Sequence, residues 1–205
     1  MDYRNEWKGW EELPDSLSEI EGNTGKYPNY QKIIQATIRD LKPKTMIEIG
    51  FNAGHSACCM LDAAPNEVNF FSFDIGRHGY ESNSYKILSK FYNLTLTLGE
   101  SKKTLESFLE KNNIEIDFAF IDGCHGGNKN DCCKSSKFNE RCPYTDINTC
   151  KKYMNRGGII FVDDMGIADV IYCFDNVNWE DYEDLTYLTK NFQSEKKFKI
   201  MRKIK

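Results

Sequence analysis

From Thr45 onward, short apolar runs alternate with stretches whose apolar residues fall at helical spacing. Thr45–Ile49, Val68–Phe73, Leu94–Leu98, Asp117–Ile121 and Gly158–Val162 read as five strands. His55–Ala64, Ser82–Phe91, Lys103–Lys111 and Ile147–Met154 read as the helices between them. Ahead of the first strand, Tyr30–Leu41 carries Ile33, Ile34, Ala36, Ile38 and Leu41 close to helical spacing, and Lys42-Pro43-Lys44 ends that helix. Strands regularly separated by helices imply βαβ units and a parallel sheet. The fold class predicted is α/β: a Rossmann-like, doubly wound, mostly parallel sheet covered on both faces. Leu185–Phe192 and Phe198–Ile204 have no clear helix between them and are expected to form an antiparallel hairpin at the sheet edge.

Two stretches do not fit the alternation. Residues 1–29, rich in Trp, Glu, Gly and Asn and broken at Pro14 and Pro28, read as short helix and loop. They are expected to form part of an acceptor site or a lid ahead of one domain spanning 30–205. Residues 123–146 form a polar, Cys-rich and Lys-rich insertion, far longer than the roughly 2–6 residues usual for a βα loop.

The chemistry gathers where the predicted strands end. In an open α/β sheet, ligands bind beyond the carboxyl ends of the strands, near the point where strand order reverses. Four predicted strands finish in acids: Glu48 followed by Gly50, then Asp74, Asp122 and Asp163-Asp164. One such acid alone is well explained as a helix cap, but four together are not. Gly50-Phe-Asn-Ala-Gly54 makes a glycine turn from strand to helix, where the backbone can approach a ligand and the helix N-terminus suits a carboxylate. A dinucleotide fingerprint would need glycines where Asn52 and His55 stand, so NAD is disfavoured. Asp74 is placed to accept both hydrogen bonds of a ribose diol, and Gly99-Glu100-Ser101 falls where an adenine ring would be edged.

Composition narrows the partners. The 205-residue chain has a formal net charge of -4, so no overall positive field exists to hold nucleic acid. A local basic strip, Lys196, Lys197, Lys199, Arg202, Lys203 and Lys205, reads as a solvated terminal strand. The N-terminus lacks the apolar segment of a signal peptide, and no apolar run approaches the roughly 20 residues of a membrane span, so a cytoplasmic, membrane-free protein is expected. Of the eight cysteines, Cys58 and Cys59 read as core residues. Cys124, Cys132, Cys133, Cys142 and Cys150 crowd one region with His125 but without a C-x2-C pair, so free thiols are favoured over zinc or a disulfide.

Glu48-Ile-Gly50-Phe-Asn-Ala-Gly54-His-Ser56, Phe73-Asp74, Gly99-Glu-Ser101, Phe120-Ile-Asp122-Gly and Arg156-Gly-Gly-Ile-Ile-Phe-Val-Asp-Asp164 resemble, in order and spacing, the motifs of class I S-adenosylmethionine (SAM)-dependent methyltransferases. The metal-dependent O-methyltransferases of catechol and macrolide-sugar type are the most similar. The resemblance covers roughly residues 30–205. It implies that Glu48, Gly50, Gly54 and Ser56, with Asn52, His55 and Asp122 around them, hold the amino-acid end of SAM. It further implies Asp74 at the ribose, Glu100 and Ser101 at the adenine, and Mg²⁺ on Asp122, Asp163 and Asp164. Several family members place a lysine base three residues after the first metal acid. Here that position is His125, suited to take a proton near neutral pH, with Asp122 as its catalytic companion.

The function expected is therefore Mg²⁺-dependent O-methylation of a small hydroxylated acceptor: a diol, phenol or sugar. Two alternatives stay open. One is a nucleic-acid 2′-O-methyltransferase, which the acidic balance and the lack of a lysine beside Asp163-Asp164 in the sequence both oppose. The other is a non-catalytic SAM-binding protein. Acceptor identity and oligomeric state are left open, a homodimer included.

Overall fold

The computed structural model describes residues 24–124 and 138–205. A 3₁₀ turn at Thr24–Lys26 leads into α1 (Pro28–Leu41), followed by β1 (Thr45–Ile49), α2 (His55–Leu61), β2 (Asn69–Asp74), α3 (Glu81–Leu88) and β3 (Leu94–Leu98). The second half runs α4 (Ser101–Asn112), β4 (Ile116–Ile121), α5 (Cys142–Tyr153), β5 (Met154–Val162), α6 (Ala168–Asp175), β6 (Tyr182–Asp184) and β7 (Lys199–Lys203). The strands form one sheet in the order β3-β2-β1-β4-β5-β7-β6. The pairs from β3 through β5 are parallel, whereas β7 runs antiparallel to both β5 and β6. This is the doubly wound α/β sheet with an antiparallel edge that the hydrophobic pattern predicts.

Alternation along the strands splits the core into two layers, as period-2 geometry requires. Met46, Phe70, Phe118, Phe120 and Phe161 pack with Ile33, Ile34, Ile38, Cys58 and Leu61 of α1 and α2. Ile47, Ile49, Ala119, Ile121 and Ile160 face Leu105, Leu109, Ile147, Val170 and Phe174 of α4, α5 and α6. The chain winds from β1 outward to β3, then restarts at β4 on the other side of β1. The carboxyl ends of β1 and β4 therefore flank the reversal point, where a crevice opens. No helix among the described residues is long and apolar enough to cross a membrane.

Several boundaries differ from the sequence expectation. The polar insertion is shorter than residues 123–146, because α5 already begins at Cys142, with Pro143 in its first turn. Met154 belongs to β5 rather than to the preceding helix, and the strand has a register irregularity opposite Ile116/Phe118. Helix α6 is an element the sequence reading did not name; at eight residues it offers barely two turns of apolar periodicity in Val170, Cys173 and Phe174. The predicted hairpin arm 185–192 is mostly a 3₁₀ segment, Thr186–Phe192. The Asp184 carboxylate accepts the Thr186 N–H at 2.8 Å, a local turn that stops β6 at residue 184. Most of the N-terminal lid segment, residues 1–23, and residues 125–137 of the insertion lie outside the described residues.

Candidate functional site

At the carboxyl edge, each strand is tied to its neighbour one step beyond its end. Gly50 N–H donates to Phe73 O (2.8 Å), Gly99 to Asp74 O (2.8 Å), Asp122 to Ile49 O (2.9 Å) and Asp163 to Ile121 O (2.9 Å). These bonds set the loop after β1 and the acids after β2, β4 and β5 along one crest. The four strand-end acids of the sequence thus share one rim of the molecule.

The first half of the crest is backbone-built. Gly50 (φ 102°), Asn52 (φ 49°) and Gly54 (φ 82°) all have left-handed backbone, folding the loop tightly onto the N-terminus of α2. A Cβ on Gly50 would lie 2.1 Å from the Asp122 carbonyl oxygen, so nothing larger than hydrogen fits between β1 and β4. Beneath the loop, Glu48 is fully buried. Parallel register sets it opposite Ser72, and the hydroxyls of Ser56 and Ser72 donate to its two oxygens at 2.5 and 2.6 Å. Burial pushes the Glu48 carboxyl up to about 8, with the two serines pulling it back. Its role in the structure is to brace α2 and β2 from below the loop. Ser56 and His55 are likewise buried, in the first turn of α2.

Asp74 receives the Asn52 N–H on Oδ2 and the Gly76 N–H on Oδ1, both at 2.8 Å. Each carboxylate oxygen has a second lone pair, so these bonds leave capacity for a diol while fixing the carboxylate's direction. Glu100, just ahead of α4, points toward Lys103 (3.0 Å) and Lys102 (3.7 Å); the hydrogen bond from Lys103, and then the two charges, hold it below the usual carboxylate range. Ser101 opens α4 next to a residue that the sequence did not single out, Asp146 of α5. Asp146 is buried, and no hydrogen bond of good geometry reaches either of its oxygens. Burial pushes it up to about 7, and the nearby Ser101 hydroxyl pulls the value down.

The second half of the crest is built from charge. Carboxylate oxygens of Asp122, Asp163 and Asp164 all lie within 4.8 Å of one another, among the described residues the one group of three acid, His or Cys side chains that converges as metal ligands would. Asp163 is buried, and Asp164 takes a left-handed turn (φ 54°) immediately after it. Into this cluster reaches Lys196, from the loop before β7. Its ammonium lies 2.5 Å from Asp163 Oδ2 and 3.3 Å from Asp164 Oδ1, with its side chain 16 % exposed. The rings of Tyr30 and Tyr27 lie 5.4 and 5.9 Å from it. Burial works against the Lys196 charge, but the carboxylates of Asp122, Asp163 and Asp164 together outweigh it and hold the ammonium charged well above the usual lysine range. The Tyr30 hydroxyl, fully buried without a hydrogen bond of good geometry, is pushed far above a normal phenol by burial and then by the acids.

The reading of residues 196–205 as a solvated basic strip is thereby corrected. Lys199 and Arg202 do sit at the surface, paired with Asp184 and Glu183, but Lys196 is drawn inward by three acids. The sequence argument that no lysine stands beside Asp163-Asp164 fails for the same reason, since the neighbour comes from 33 positions along the chain. His125, the base suggested by the sequence, lies outside the described residues, as do Cys132 and Cys133. Cys58, Cys59, Cys142 and Cys150 are buried and Cys124 is half-buried, with no disulfide joining any two of them. A hollow of about 790 Å³ lined by Lys42, Lys44, Asp117 and Arg156 opens at the amino ends of the strands, away from all these groups.

Of the missed residues, Ser72 was within reach of the sequence, because pairing β1 with β2 in parallel register brings it to Glu48. Lys196, Tyr30 and Asp146 had no such signal.

The fold has counterparts among known proteins. The sequence model of a family described as a methyltransferase domain matches residues 47–165, from β1 to just past the acid pair after β5. No curated protein matches by sequence. Among solved structures, the chain is similar to the O-methyltransferase TomG of Streptomyces achromogenes, involved in tomaymycin synthesis and solved with SAM. The TM-score is 0.63 at 14% identity, covering 100% of this chain and 86% of that one. An O-methyltransferase of Bacillus cereus, solved with S-adenosylhomocysteine, gives 0.64 at 14% identity, over 94% and 84%. The TDP-rhamnose 3′-O-methyltransferase of calicheamicin biosynthesis, solved without ligand, gives 0.62 at 12% identity, over 91% and 88%.

Proposed function

This chain belongs to the methyltransferase domain family of class I SAM-dependent enzymes, and on that premise we propose that it transfers the SAM methyl group to a hydroxyl oxygen of a small molecule. The observation that carries the reading is the division of one crest into two halves. A backbone cradle around Gly50–Gly54 and Asp74 lies on one side of the β1/β4 crevice, and a part-buried charge cluster lies on the other.

In this reading the turn Gly50–Gly54 and the N-terminus of α2 take the carboxylate of SAM, and Asp122 lies where its amino group would arrive. Glu48 and Ser56 brace the cradle beneath them. Asp74 takes the ribose hydroxyls, and the Glu100-Ser101 turn lies beside the adenine. The acceptor oxygen then meets the sulfonium methyl next to Asp122, Asp163 and Asp164. As the new C–O bond forms, the C–S bond breaks and its electron pair stays on sulfur, leaving S-adenosylhomocysteine. The hydroxyl proton passes to a base at the acceptor side, with Asp122 and His125 as the candidates.

Mg²⁺ dependence is the finer part of the expectation. Three acid oxygens are the right donors for that ion. As arranged here, however, they do not fit a resident metal, because Lys196 already stands among them. The lysine also reopens nucleic-acid 2′-hydroxyls as acceptors, which the net charge of -4 still opposes.

The test is a transfer assay with methyl-labelled SAM against phenols, catechols, sugars and a short RNA, with SAM affinity measured by calorimetry. Label moving to a small hydroxylated compound supports the proposal. Transfer to RNA alone would replace it, and no SAM binding at millimolar concentration would end it.

A further inference from the structure

We propose that the Lys196 ammonium is the resident cation of the Asp122, Asp163 and Asp164 cluster, so that this protein excludes a divalent metal and presents one N–H donor to a single acceptor oxygen. The inference rests on the methyltransferase reading for its consequence, but not for the cation itself.

Lys196 is held there by construction. Asp163, the most buried of the three acids, has both oxygens engaged: Oδ1 accepts the Asp164 N–H at 2.7 Å, and Oδ2 accepts from Lys196 at 2.5 Å. A metal ion would have to enter beside a positive charge already seated against two of the three acids. The backbone around Lys196 is fastened on both sides. Ser194 Oγ donates to Lys196 O (2.9 Å) and accepts the Lys196 N–H (3.2 Å), and the Met165 N–H donates to Lys197 O (2.9 Å). Glu195 accepts the Tyr30 N–H at 3.2 Å, which ties the same turn to the first turn of α1. The Tyr27 and Tyr30 rings from that end of α1 then wall the ammonium. Five groups from three parts of the chain position one charge, unlike a surface lysine that happens to lean on an acid.

The chemistry of an ammonium differs from that of Mg²⁺ in a way that selects the acceptor. A lysine has three N–H donors. Two are directed at Asp163 and Asp164, and one remains for a substrate oxygen. A six-coordinate metal on three acids can chelate two oxygens of a vicinal diol, whereas the remaining N–H grips one. The acceptor class favoured is a molecule with a lone hydroxyl, and a neighbouring second hydroxyl confers no advantage.

The test titrates Mn²⁺ as a paramagnetic probe into the full-length chain and follows the free ion by electron spin resonance. Wild type is expected to take up no Mn²⁺ below about millimolar concentration, and Lys196→Arg, which keeps the charge, to behave alike. Lys196→Met leaves three acids uncompensated and is expected to bind Mn²⁺ at least about tenfold more tightly than wild type, a gain removed by adding Asp163→Asn. One Mn²⁺ bound per wild-type chain at micromolar concentration overturns the proposal, whether or not the methionine variant folds. A folded Lys196→Met with no gain in Mn²⁺ affinity overturns it too. In the transfer assay, phenol and catechol are expected to be methylated comparably and without loss in EDTA. A strict catechol preference abolished by EDTA counts against the inference. SAM calorimetry on the same samples keeps the two ideas apart, since loss of SAM binding ends the methyltransferase reading and leaves the Mn²⁺ result standing.

Discussion

The two halves of the crest are held together by different physics. On the β1–β2–β3 side, the loop Gly50–Gly54 is shaped by three left-handed residues and anchored by the Asn52 N–H on Asp74, whose other oxygen takes the Gly76 N–H. Apart from Gly50 against the Asp122 carbonyl, the contacts there join β1, α2 and β2, elements adjacent in sequence. On the β4–β5 side, Asp122, Asp163 and Asp164 meet Lys196 and the tyrosines of α1, groups brought from opposite ends of the described chain. The first half is steric and local; the second is electrostatic and assembled by the tertiary fold. A cofactor cradle that works through shape suits a cofactor common to a whole family. A charge cluster recruited from distant segments is where one member can differ from another.

This contrast predicts that the steric half breaks at a single glycine. Gly50→Ala puts a methyl 2.1 Å from a backbone oxygen of the next strand in a conformation unfavourable to alanine. The change is expected to cost on the order of 4 kcal/mol or more, because neither strand can move without disturbing the sheet. Urea unfolding and SAM calorimetry check it together. A variant that unfolds like wild type and binds SAM normally would show that the β1/β4 contact is not tight.

Next in size is the electrostatic half. Lys196→Met removes the cation placed among buried Asp163 and half-buried Asp122 and Asp164, and the expected loss of stability is about 3 kcal/mol, toward the lower end of what breaking a buried pair costs. Lys196→Arg should recover most of it. Lowering the pH should rescue the methionine variant relative to wild type, because protonating the acids relieves the repulsion that the lysine normally offsets. Equal losses at pH 5 and pH 8 would contradict the charge-built account.

Glu48 carries a third test, a pH dependence seated under the steric half. Its folded-state value, about 8, lies above the usual 4.5. Between those values the folded protein holds a proton that the unfolded chain has released. Stability therefore falls as pH rises through that window, by up to about 1.4 kcal/mol per pH unit from this group, and levels off above it. Glu48→Gln keeps the serine partners and has no proton to lose, so its stability curve should be flatter across the same range. Parallel curves for variant and wild type would exclude Glu48 as the source.

The same contrast explains what could be read from the sequence. The parallel sheet and the order of its strands' motifs were legible because apolar runs and strand-end acids repeat along the chain. Glu48, Gly50, Gly54 and Asp74 were legible because short spacings place them. Asp122, Asp163 and Asp164 could be named as a group, but not the charge that sits among them. Lys196 lies in a basic stretch whose ordinary fate is the surface, and only the antiparallel entry of β7 beside β5 carries it inward. Asp146 was hidden differently, since nothing in a helix pattern announces that one polar position will face the sheet. The 3₁₀ segment Thr186–Phe192 reads as a strand in the sequence because its start is decided by one Asp184 hydrogen bond rather than by hydrophobic period.

The smallest expected effect concerns the outer edge of the steric half, where the motif alone suggested more than the geometry supports. Family resemblance puts Glu100 beside the adenine, yet its carboxylate turns to Lys103 and Lys102 on its own helix. If those ion pairs are its main occupation, Glu100→Gln should change SAM affinity by no more than about threefold, in keeping with the small worth of exposed pairs. Ser101→Ala should weaken SAM more than Glu100→Gln does, because Ser101 opens α4 against the buried Asp146, facing inward where Glu100 faces out. Calorimetry at two salt concentrations separates the cases. A Glu100 effect that is large and insensitive to salt would mean the carboxylate leaves its lysines and grips the cofactor directly, and the steric half would then contain a charged contact of its own.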